Sequence, residues 1–309
     1  VKKADLAKYA RVVAALEAQT GFSLDPLRTF PRWMLRIFFI QKYGYRKIFK
    51  RTNAKYVFAV NAARMPLQAA AQSLGMKVIE IQSGVFSKYS LQFSWPGSPK
   101  IEYIPDEIWT WGDYWTSGIE RAGGQSVRVI GSTEEFESIR ERHTTKIAGQ
   151  VVVLSQPLIG LDILKAAIDF AAARPDLKVI FKLHPRNEID EFANYLATAR
   201  ISDGKPAPAN LSLMQFEKSS LEVIAESEIS VGVFSTALIE AAGLGSKVAI
   251  IKLPGWEHLA PLIDGGYASA FDSAADLVAG IQTLKNPADE YFFYGRRANV
   301  QSIIDELLS

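Results

Sequence analysis

The sequence predicts an α/β fold with two parallel β-sheets that are covered by helices. Apolar runs of strand length alternate with stretches of helical period nearly throughout the 309 residues, and such alternation is typical of parallel sheets buried on both faces. A polar and charged segment, residues 133–149, separates the strand–helix units into two sets. We therefore expect two Rossmann-like domains facing a central cleft, formed by residues 1–135 and 150–309 and joined by a linker at 136–149.

The first half of the chain is expected to hold four strands with helices between them. The predicted strands are Tyr56–Val60, Lys77–Ile81, Glu107–Trp111 and Val127–Ile130, and the predicted helices include Leu67–Leu74 and Tyr114–Ala122. Four strands make a short sheet. Either the sheet is minimal, or residues upstream of this sequence complete it.

The second half repeats the pattern with five strands. The predicted strands are Val151–Leu154, Val179–Leu183, Leu211–Met214, Ile229–Val233 and Val248–Ile251. The predicted helices are Asp162–Ala173, Glu188–Ala197, Leu221–Ala225, Ala237–Ala242, Asp276–Leu284 and Arg297–Leu308. Ligands of such sheets bind at the carboxyl ends of the strands, so the residues that follow each strand are the candidates for function.

Composition narrows the class of protein. Hydrophobic residues make up 48% and charged residues 22%, which is ordinary for a globular protein. A net charge of +2 gives no electrostatic basis for binding nucleic acid. The absence of cysteine excludes disulfides and thiolate metal sites. The N-terminus lacks a signal-peptide core and no run of about 18 apolar residues occurs, so we expect a cytoplasmic protein.

One polar group follows the predicted strand in KVIFKLHPRNE, which places His184 and Pro185 at its carboxyl end. The imidazole can donate a hydrogen bond to a phosphate or to a base carbonyl, and Lys182 and Arg186 lie nearby to meet phosphate charge. The alternative is a histidine in a loop at a strand end without a role in binding.

A second polar group follows the strand in SEISVGVFSTALIEAAGLG, where a helix begins at Ser235 and Thr236. The N-terminus of a helix favours an anion because its amides and dipole are positive there, although such residues are also ordinary N-caps. Glu240 lies one turn further on the same face and can accept hydrogen bonds from ribose hydroxyls. Gly243 and Gly245 end the helix.

A third strand end follows in KLPGWEHLAP, where Gly255, Trp256 and His258 can shape a pocket for a base. Three polar strand ends on one edge of one sheet predict a nucleotide pocket.

The pairing of strand-His-Pro with strand-Ser-Thr resembles bacterial transferases of the GT-B fold that use CMP- or CDP-linked donors. Sialyltransferases, polysialyltransferases and CDP-glycerol glycerophosphotransferases are examples. The resemblance implies that His184 and Pro185 hold the nucleotide and that Ser235 and Thr236 hold its phosphate. The helix STALIEAAGLG is similar to the donor helix of GT-B enzymes in general. The expected activity is therefore glycosyl transfer, with CMP or CDP favoured and UDP as an alternative.

Residues 32–115 resemble proteins from surface-polysaccharide gene clusters, which implies a capsule or lipopolysaccharide transferase. The matching features are RWMLRIFFIQKYGYRKIFKR, VIEIQSG and YIPDEIWTWGDYW, in that order. This chain has Ser83 where the pattern has histidine. In the glycerophosphotransferases that histidine looks like the acceptor-activating base, and here no histidine precedes His143.

A carboxylate is then the expected base of this half. Asp106 and Glu107 precede their strand and should point away from the ligand edge, whereas Asp113 follows it. Asp113 is the preferred candidate, with an N-cap as its alternative role, and Gln82 and Ser83 end a strand on the same edge. Asp-x-Asp, the motif of metal-dependent transferases, is absent. We expect neither metal nor cofactor, since the nucleotide sugar is a substrate.

Residues 31–51 hold seven Lys or Arg and no acid, interleaved with aromatic residues. Such a helix either lies on an anionic membrane, which would suit a lipid-linked acceptor at the inner membrane, or packs its aromatic stripe on the sheet. Single-stranded nucleic acid is a weaker alternative, because no RNA-binding motif accompanies the basic residues.

Three functions remain open from the sequence. The first is a glycosyltransferase that acts on a glycan or glycolipid. The second is a nucleotide-sugar 2-epimerase, which shares the fold and needs acid and base groups from both domains. The third is a degenerate transferase that binds nucleotide or a partner without chemistry, which Ser83 motivates.

Overall fold

The computed structural model describes residues 3–60, 64–88, 90, 92–117, 119–143, 145–200, 204–286, 290–298 and 300–309. It shows an α/β protein with two sheets, as the sequence predicts. Contacts divide the chain into two compact units, Val1–Ile81 with Lys100–Ile108 and Gln82–Pro99 with Trp109–Ser309. Among the described helices, none combines the length and apolar character needed to cross a membrane.

The first sheet has four strands in the order β1-β2-β3-β4, the number that the sequence predicts. β1 and β2 pair in parallel, with Tyr56 opposite Lys77. The elements up to β4 are α1 (Lys3–Thr20), α2 (Asp25–Phe49), β1 (Tyr56–Ala59), α3 (Met65–Gln72), β2 (Lys77–Ile81), β3 (Glu107–Thr110), α4 (Tyr114–Ser117) and β4 (Ser126–Val129).

The second sheet has six parallel strands in the order β10-β9-β8-β5-β6-β7. The elements up to β8 are α5 (Glu134–Arg142), β5 (Ile147–Leu154), α6 (Gly160–Ala173), β6 (Lys178–Lys182), α7 (Ile189–Thr198), β7 (Leu211–Met214), α8 (Ser220–Glu226) and β8 (Ser227–Gly232). The rest are α9 (Thr236–Gly243), β9 (Lys247–Ile251), a 3-10 helix (Trp256–Leu259), α10 (Ala260–Asp264), β10 (Ala268–Phe271), α11 (Ala274–Gly280), a second 3-10 helix (Ile281–Thr283), α12 (Glu290–Phe293) and α13 (Val300–Leu308).

β5 shows why the second sheet forms. Val151 and Val153 pack into one buried cluster with residues of α6 and α11, whereas Val152 and Leu154 pack into another with residues of α8 and α9. Successive side chains of a strand point to opposite faces, so a strand covered on both faces needs a continuous apolar run. The sequence Val151–Leu154 meets that need.

The predicted elements of the second sheet differ from the structure by a few residues at their ends, but some elements of this half of the chain were not predicted. β10 was not predicted, because Ala268–Phe271 is short and only half-buried and therefore lacks a strong apolar run. Residues 136–149, predicted as a polar linker, hold most of α5 and the start of β5. The buried side chains of Phe136 and Ile139 anchor α5.

Candidate functional site

The strand order of the second sheet defines where a ligand is expected. From β5 the chain passes to β6 and then β7 on one side, and it returns to β8 on the other side of β5. The order therefore reverses between β5 and β8, and open parallel sheets bind ligands at the carboxyl ends of strands beside such a switch point. The His184 and Ser235 motifs follow β6 and β8, which lie on either side of β5, so one strand separates the two strand ends.

Ser155 and Gln156 follow β5 and connect the two motifs. Gln156 is 7% exposed, and its Oε1 accepts a 3.3 Å hydrogen bond from the Phe234 amide at the end of β8. Ser155 donates a 2.8 Å hydrogen bond to Asn187 Oδ1, beside β6. The sequence prediction omitted both residues, although a polar pair at the end of the apolar run VVVLSQP is the signal that marks them.

His184 is half-buried directly after β6, and its surroundings fix the position of its proton. Its backbone amide donates to Asn187 Oδ1 at 3.0 Å, and its Nδ1 accepts from the Arg186 amide at 3.0 Å. Burial, with a smaller contribution from Arg186, lowers the pKa of His184 and favours the neutral ring. The single proton then lies on Nε2, which becomes a hydrogen-bond donor. Pro185 and Arg186 are exposed beside it.

Lys182 was expected to meet phosphate charge, and the structure places it elsewhere. The side chain is buried, with 4% of the residue exposed, and Nζ donates to the Gln215 carbonyl. Burial lowers the pKa of Lys182, while Glu217 opposes that shift. In this structure the ammonium group is therefore engaged with a backbone carbonyl in the protein interior.

Ser235 and Thr236 lie at the N-terminus of α9, as the sequence predicts. Ser235 is the N-cap, and its Oγ accepts from the Ala237 amide at 3.2 Å. The Leu238 amide bonds to the Ser235 carbonyl at 3.0 Å. In the described part of the chain no residue accepts from the Thr236 amide. That amide and the two hydroxyl groups are available to an anion, which the helix dipole also favours.

Glu240 lies one turn into α9, next to the buried Tyr294 ring. Burial raises the pKa of Glu240 to about 7, and the carboxylate of Glu135 adds to the shift. The charge of Glu240 in turn contributes to the raised pKa of Tyr294. Glu240 is therefore poised between its neutral and ionised forms near neutral pH, which the sequence did not reveal.

Gly255 and His258 follow β9 and pack beside Phe234. Gly255 has a φ of 98°, and a Cβ at this position would lie 2.6 Å from the Phe234 ring, so only glycine fits. The His258 ring centroid lies 6.1 Å from that of Phe234. His258 is exposed, and its Nδ1 lies 3.4 Å from the Oγ of Ser87, in the segment after β2.

The catalytic candidates near β2 and β3 differ in their surroundings. Gln82 is 3% exposed, its Nε2 donates to the Gly84 carbonyl at 3.0 Å, and its Oε1 accepts from the Trp111 amide at 2.9 Å. Gln82 thus ties two strand ends together, which explains its burial without a catalytic role. Ser83 and Asp113, which follow Gln82 and Trp111 closely in the chain, are both exposed.

Asp106 and Glu107 occupy the opposite end of β3, as the strand direction requires. Asp106 accepts hydrogen bonds from the Val78 amide at 2.8 Å and from Gln72 Nε2 at 3.1 Å. Glu107 forms an ion pair with Lys77, at 2.6 Å between Oε2 and Nζ. Both carboxylates are therefore occupied within the fold.

Comparison with known proteins supplies the class of fold. No protein-family model and no curated protein sequence matches the chain. Solved structures of GT-B glycosyltransferases do match over most of their length, and the chain therefore has the GT-B fold. Within the described residues, no group of three or more His, Cys, Asp or Glu side chains is placed to hold a metal ion.

The particular neighbours include two transferases and an epimerase. The glycosyltransferase of kitacinnamycin superposes with a TM-score of 0.57 at 14% identity, over 86% of this chain and 79% of that one. MurG from Acinetobacter baumannii gives 0.52 at 14% identity, over 86% and 77%. The UDP-GlcNAc 2-epimerase from Methanocaldococcus jannaschii gives 0.53 at 13% identity, over 88% and 81%. At such identities the similarity establishes the fold alone.

Proposed function

We propose that this chain is a metal-independent glycosyltransferase that moves a sugar or sugar acid from a nucleotide-activated donor to a glycan or glycolipid. One observation carries the proposal. Hydrogen-bond donors follow the two strands that flank β5, with His184 on one side and the N-terminus of α9 on the other. Both are joined to the Ser155–Gln156 pair at the switch point of the second sheet.

In this proposal each donor group meets a different part of the nucleotide. The amide of Thr236 and the hydroxyls of Ser235 and Thr236 bind the phosphate oxygens. The Nε2 proton of His184 donates to the nucleotide, and the exposed Arg186 adds positive charge. Glu240 accepts from the ribose hydroxyls in its ionised form.

The remaining donor-site residues shape the pocket. Pro185 ends the β6 ladder, because it has no amide proton to continue it. Gly255 allows the loop after β9 to pack on the Phe234 ring. The resemblance of the His-Pro and Ser-Thr motifs to CMP- and CDP-dependent transferases favours a cytidine nucleotide. UDP is the alternative, since a structural neighbour has been solved with UDP-GlcNAc and UDP.

Thermal unfolding with a panel of CMP, CDP, UDP, GDP and their sugars tests the proposal. A ligand at 100 times its dissociation constant stabilises the folded state by about 2.7 kcal/mol. We expect one nucleotide of the panel to raise the melting temperature, and His184→Ala and Ser235→Ala each to abolish that rise. Ser273→Ala is the matched control, because it removes the N-cap of α11 and should leave the ligand effect intact. Absence of any rise in the wild-type protein would overturn the proposal.

An epimerase is the second candidate, because UDP-GlcNAc 2-epimerases share this fold. An epimerase converts its nucleotide sugar without an acceptor and releases no nucleotide at completion, whereas a transferase releases one nucleotide per sugar moved. Measuring nucleotide release and sugar configuration together separates the two activities. A degenerate protein would do neither, and activity that appeared only in Ser83→His would identify that third possibility.

The acceptor side of the proposal rests on α2. Its inner face carries Phe49, which packs against the Ala71–Met76–Val78 cluster, so packing of an aromatic stripe accounts for part of the helix. A second apolar set faces outward: Trp33, Phe39, Ile40 and Tyr43 are 59%, 59%, 71% and 62% exposed.

Basic residues accompany the outward set at helical spacing. Arg36 and Lys47 are exposed on the face of Trp33 and Tyr43, and the Lys47 ammonium lies 4.7 Å from the centroid of the Tyr43 ring. Exposed aromatic and basic side chains on one helix face suit an anionic lipid surface. We therefore propose that α2 makes peripheral contact with the cytoplasmic side of the inner membrane. We further propose that the acceptor is a capsule or lipopolysaccharide glycan.

A further inference from the structure

Tyr294, which follows α12, is a buried tyrosine whose hydroxyl group has no partner among the described residues. The residue is 3% exposed, and none of those residues forms a hydrogen bond with its hydroxyl oxygen. A hydroxyl in this state has lost its bonds to water and has gained none from the protein, which costs the folded state free energy. Most buried polar groups are hydrogen-bonded, so this exception calls for a partner, and a bound ligand can bring one into place.

Aromatic neighbours hold the Tyr294 ring in one position. The ring of Phe136, on α5, stacks on it with the centroids 4.3 Å apart, and the ring of Trp111, after β3, stacks on it at 5.5 Å. Trp115 meets it edge-on at 5.9 Å. The backbone is held as well, because Arg140 Nη2 donates a 2.9 Å hydrogen bond to the Tyr294 carbonyl. The hydroxyl group is therefore presented at a fixed place rather than on a mobile side chain.

The same ring packs on the face of α9 that carries Glu240. A Cβ placed on Gly243 would lie 2.9 Å from Cδ2 of Tyr294, so the ring lies directly against the helix at this point. Residues three apart are neighbours on a helix surface, which puts the side chain of Glu240 beside this contact. Burial raises the pKa of Tyr294, and the charge of Glu240 adds to the shift. The hydroxyl therefore keeps its proton and can donate it.

The carboxyl group of Glu240 is the acceptor beside this donor. The residue is half-buried, and burial and the carboxylate of Glu135, on α5, both disfavour its ionised form. No hydrogen bond from a described residue offsets these two effects. A carboxylate in such surroundings gains stability from each donor that reaches it. Ionised Glu240 therefore has room for a donor from the protein and for donors from a ligand.

We infer that Tyr294 positions Glu240 to recognise a ribose, an inference that rests on the proposed nucleotide site at α9. When the nucleotide binds, the Tyr294 hydroxyl donates to one oxygen of the ionised carboxylate, and the ribose 2′-hydroxyl donates to the other. The two donors hold the carboxylate in one orientation. The consequence is selectivity: the site prefers a ribonucleotide to its 2′-deoxy counterpart, and the hydroxyl of Tyr294 sets the size of that preference.

Isothermal titration calorimetry at pH 8 with CMP, CDP, UDP and GDP, each beside its 2′-deoxy counterpart, tests the inference. The wild-type protein should bind the ribonucleotide at least about tenfold more tightly, as expected for one hydrogen bond to a charged group. Tyr294→Phe keeps the stacked ring and should bring this ratio close to one. Tyr114→Phe is the matched control, because it removes the hydroxyl of another buried tyrosine of the same aromatic cluster and should keep the wild-type ratio.

Two further measurements separate positioning from a structural role. Glu240→Gln should lower the ratio by itself, and adding Tyr294→Phe should lower it no further, because the hydroxyl acts through the carboxylate. Without ligand, Tyr294→Phe should melt at the wild-type temperature or above, since the hydroxyl that it removes has no partner. A clearly lower melting temperature would contradict that description of the hydroxyl and overturn the inference.

The outcomes of the titrations distinguish the inference from the proposed function. If the wild-type protein binds a ribonucleotide and its 2′-deoxy counterpart equally well, or if Tyr294→Phe keeps the wild-type ratio, the inference is wrong and the nucleotide site stands. If the wild-type protein binds none of the four nucleotides, the proposed function fails and the inference fails with it.

Discussion

The carboxyl group of Glu240 allows a prediction about protein stability that does not depend on the identity of the ligand. Burial, together with the carboxylate of Glu135, raises the pKa of Glu240 from 4.5 to about 7. Between these two values the unfolded chain has released the proton and the folded chain has kept it. The folded state therefore binds more protons, and the free energy of unfolding falls as the pH rises from about 4.5 and levels off above about 7.

The size of the effect follows from the shift. A tenfold change in proton affinity corresponds to about 1.4 kcal/mol, so raising the pKa of Glu240 from 4.5 to about 7 destabilises the folded state by about 3 kcal/mol at pH 8, where the buried group is ionised. Glu240→Gln has a similar shape and no charge to bury. It should match the wild-type stability at pH 5 and exceed it by up to about 3 kcal/mol at pH 8. Glu135→Gln removes only the second cause and should recover a small part of that gain.

Urea unfolding at pH 5, 6, 7 and 8 measures the effect in the wild type and both variants. The difference between Glu240→Gln and the wild type should grow with pH and then stay constant. A constant difference across this range, or a Gln variant less stable than the wild type at pH 8, would refute the reasoning. Nucleotide binding adds a further check, because ribose hydroxyls that donate to the ionised carboxylate should cause proton release near pH 7.

Three further perturbations test other features. Gly255→Ala should cost about 1–3 kcal/mol in thermal unfolding and weaken nucleotide binding, because its Cβ would meet an aromatic ring; Gly266→Ala, with φ 75° and nothing within 4 Å of its Cβ, is the control and should leave binding intact. Gln156→Leu should cost about 1–3 kcal/mol, since the amide that it accepts from loses its partner; an unchanged melting temperature would contradict the role of Gln156. The double variant Arg36→Glu, Lys47→Glu should bind phosphatidylglycerol vesicles more weakly by at least about 2 kcal/mol, because each basic residue near the surface contributes roughly 1 kcal/mol to binding. Sedimentation with the vesicles measures this binding, and equal sedimentation of variant and wild type would contradict membrane contact.

The fold was predictable because the strands of the second sheet are buried on both faces. Val151–Leu154 is apolar at every position and therefore suits a strand that is buried on both faces. Such a run can be recognised in the sequence, so the strand could be predicted. β10 escaped prediction because Ala268–Phe271 lies at the edge of the sheet and is only half-buried. α5 escaped because Phe136 and Ile139 are its buried apolar side chains and the charged residues around them dominate the pattern.

The candidate site was predictable only in part, because strand order is a tertiary property. The sequence located His184 and Ser235 at strand ends, but it did not show that β5 lies between β6 and β8. The contribution of Gln156 depends on that order. Lys182 shows a related limit of the sequence: its position next to the His184 motif suggests phosphate contact, but the sequence does not reveal that its buried side chain bonds to the Gln215 carbonyl.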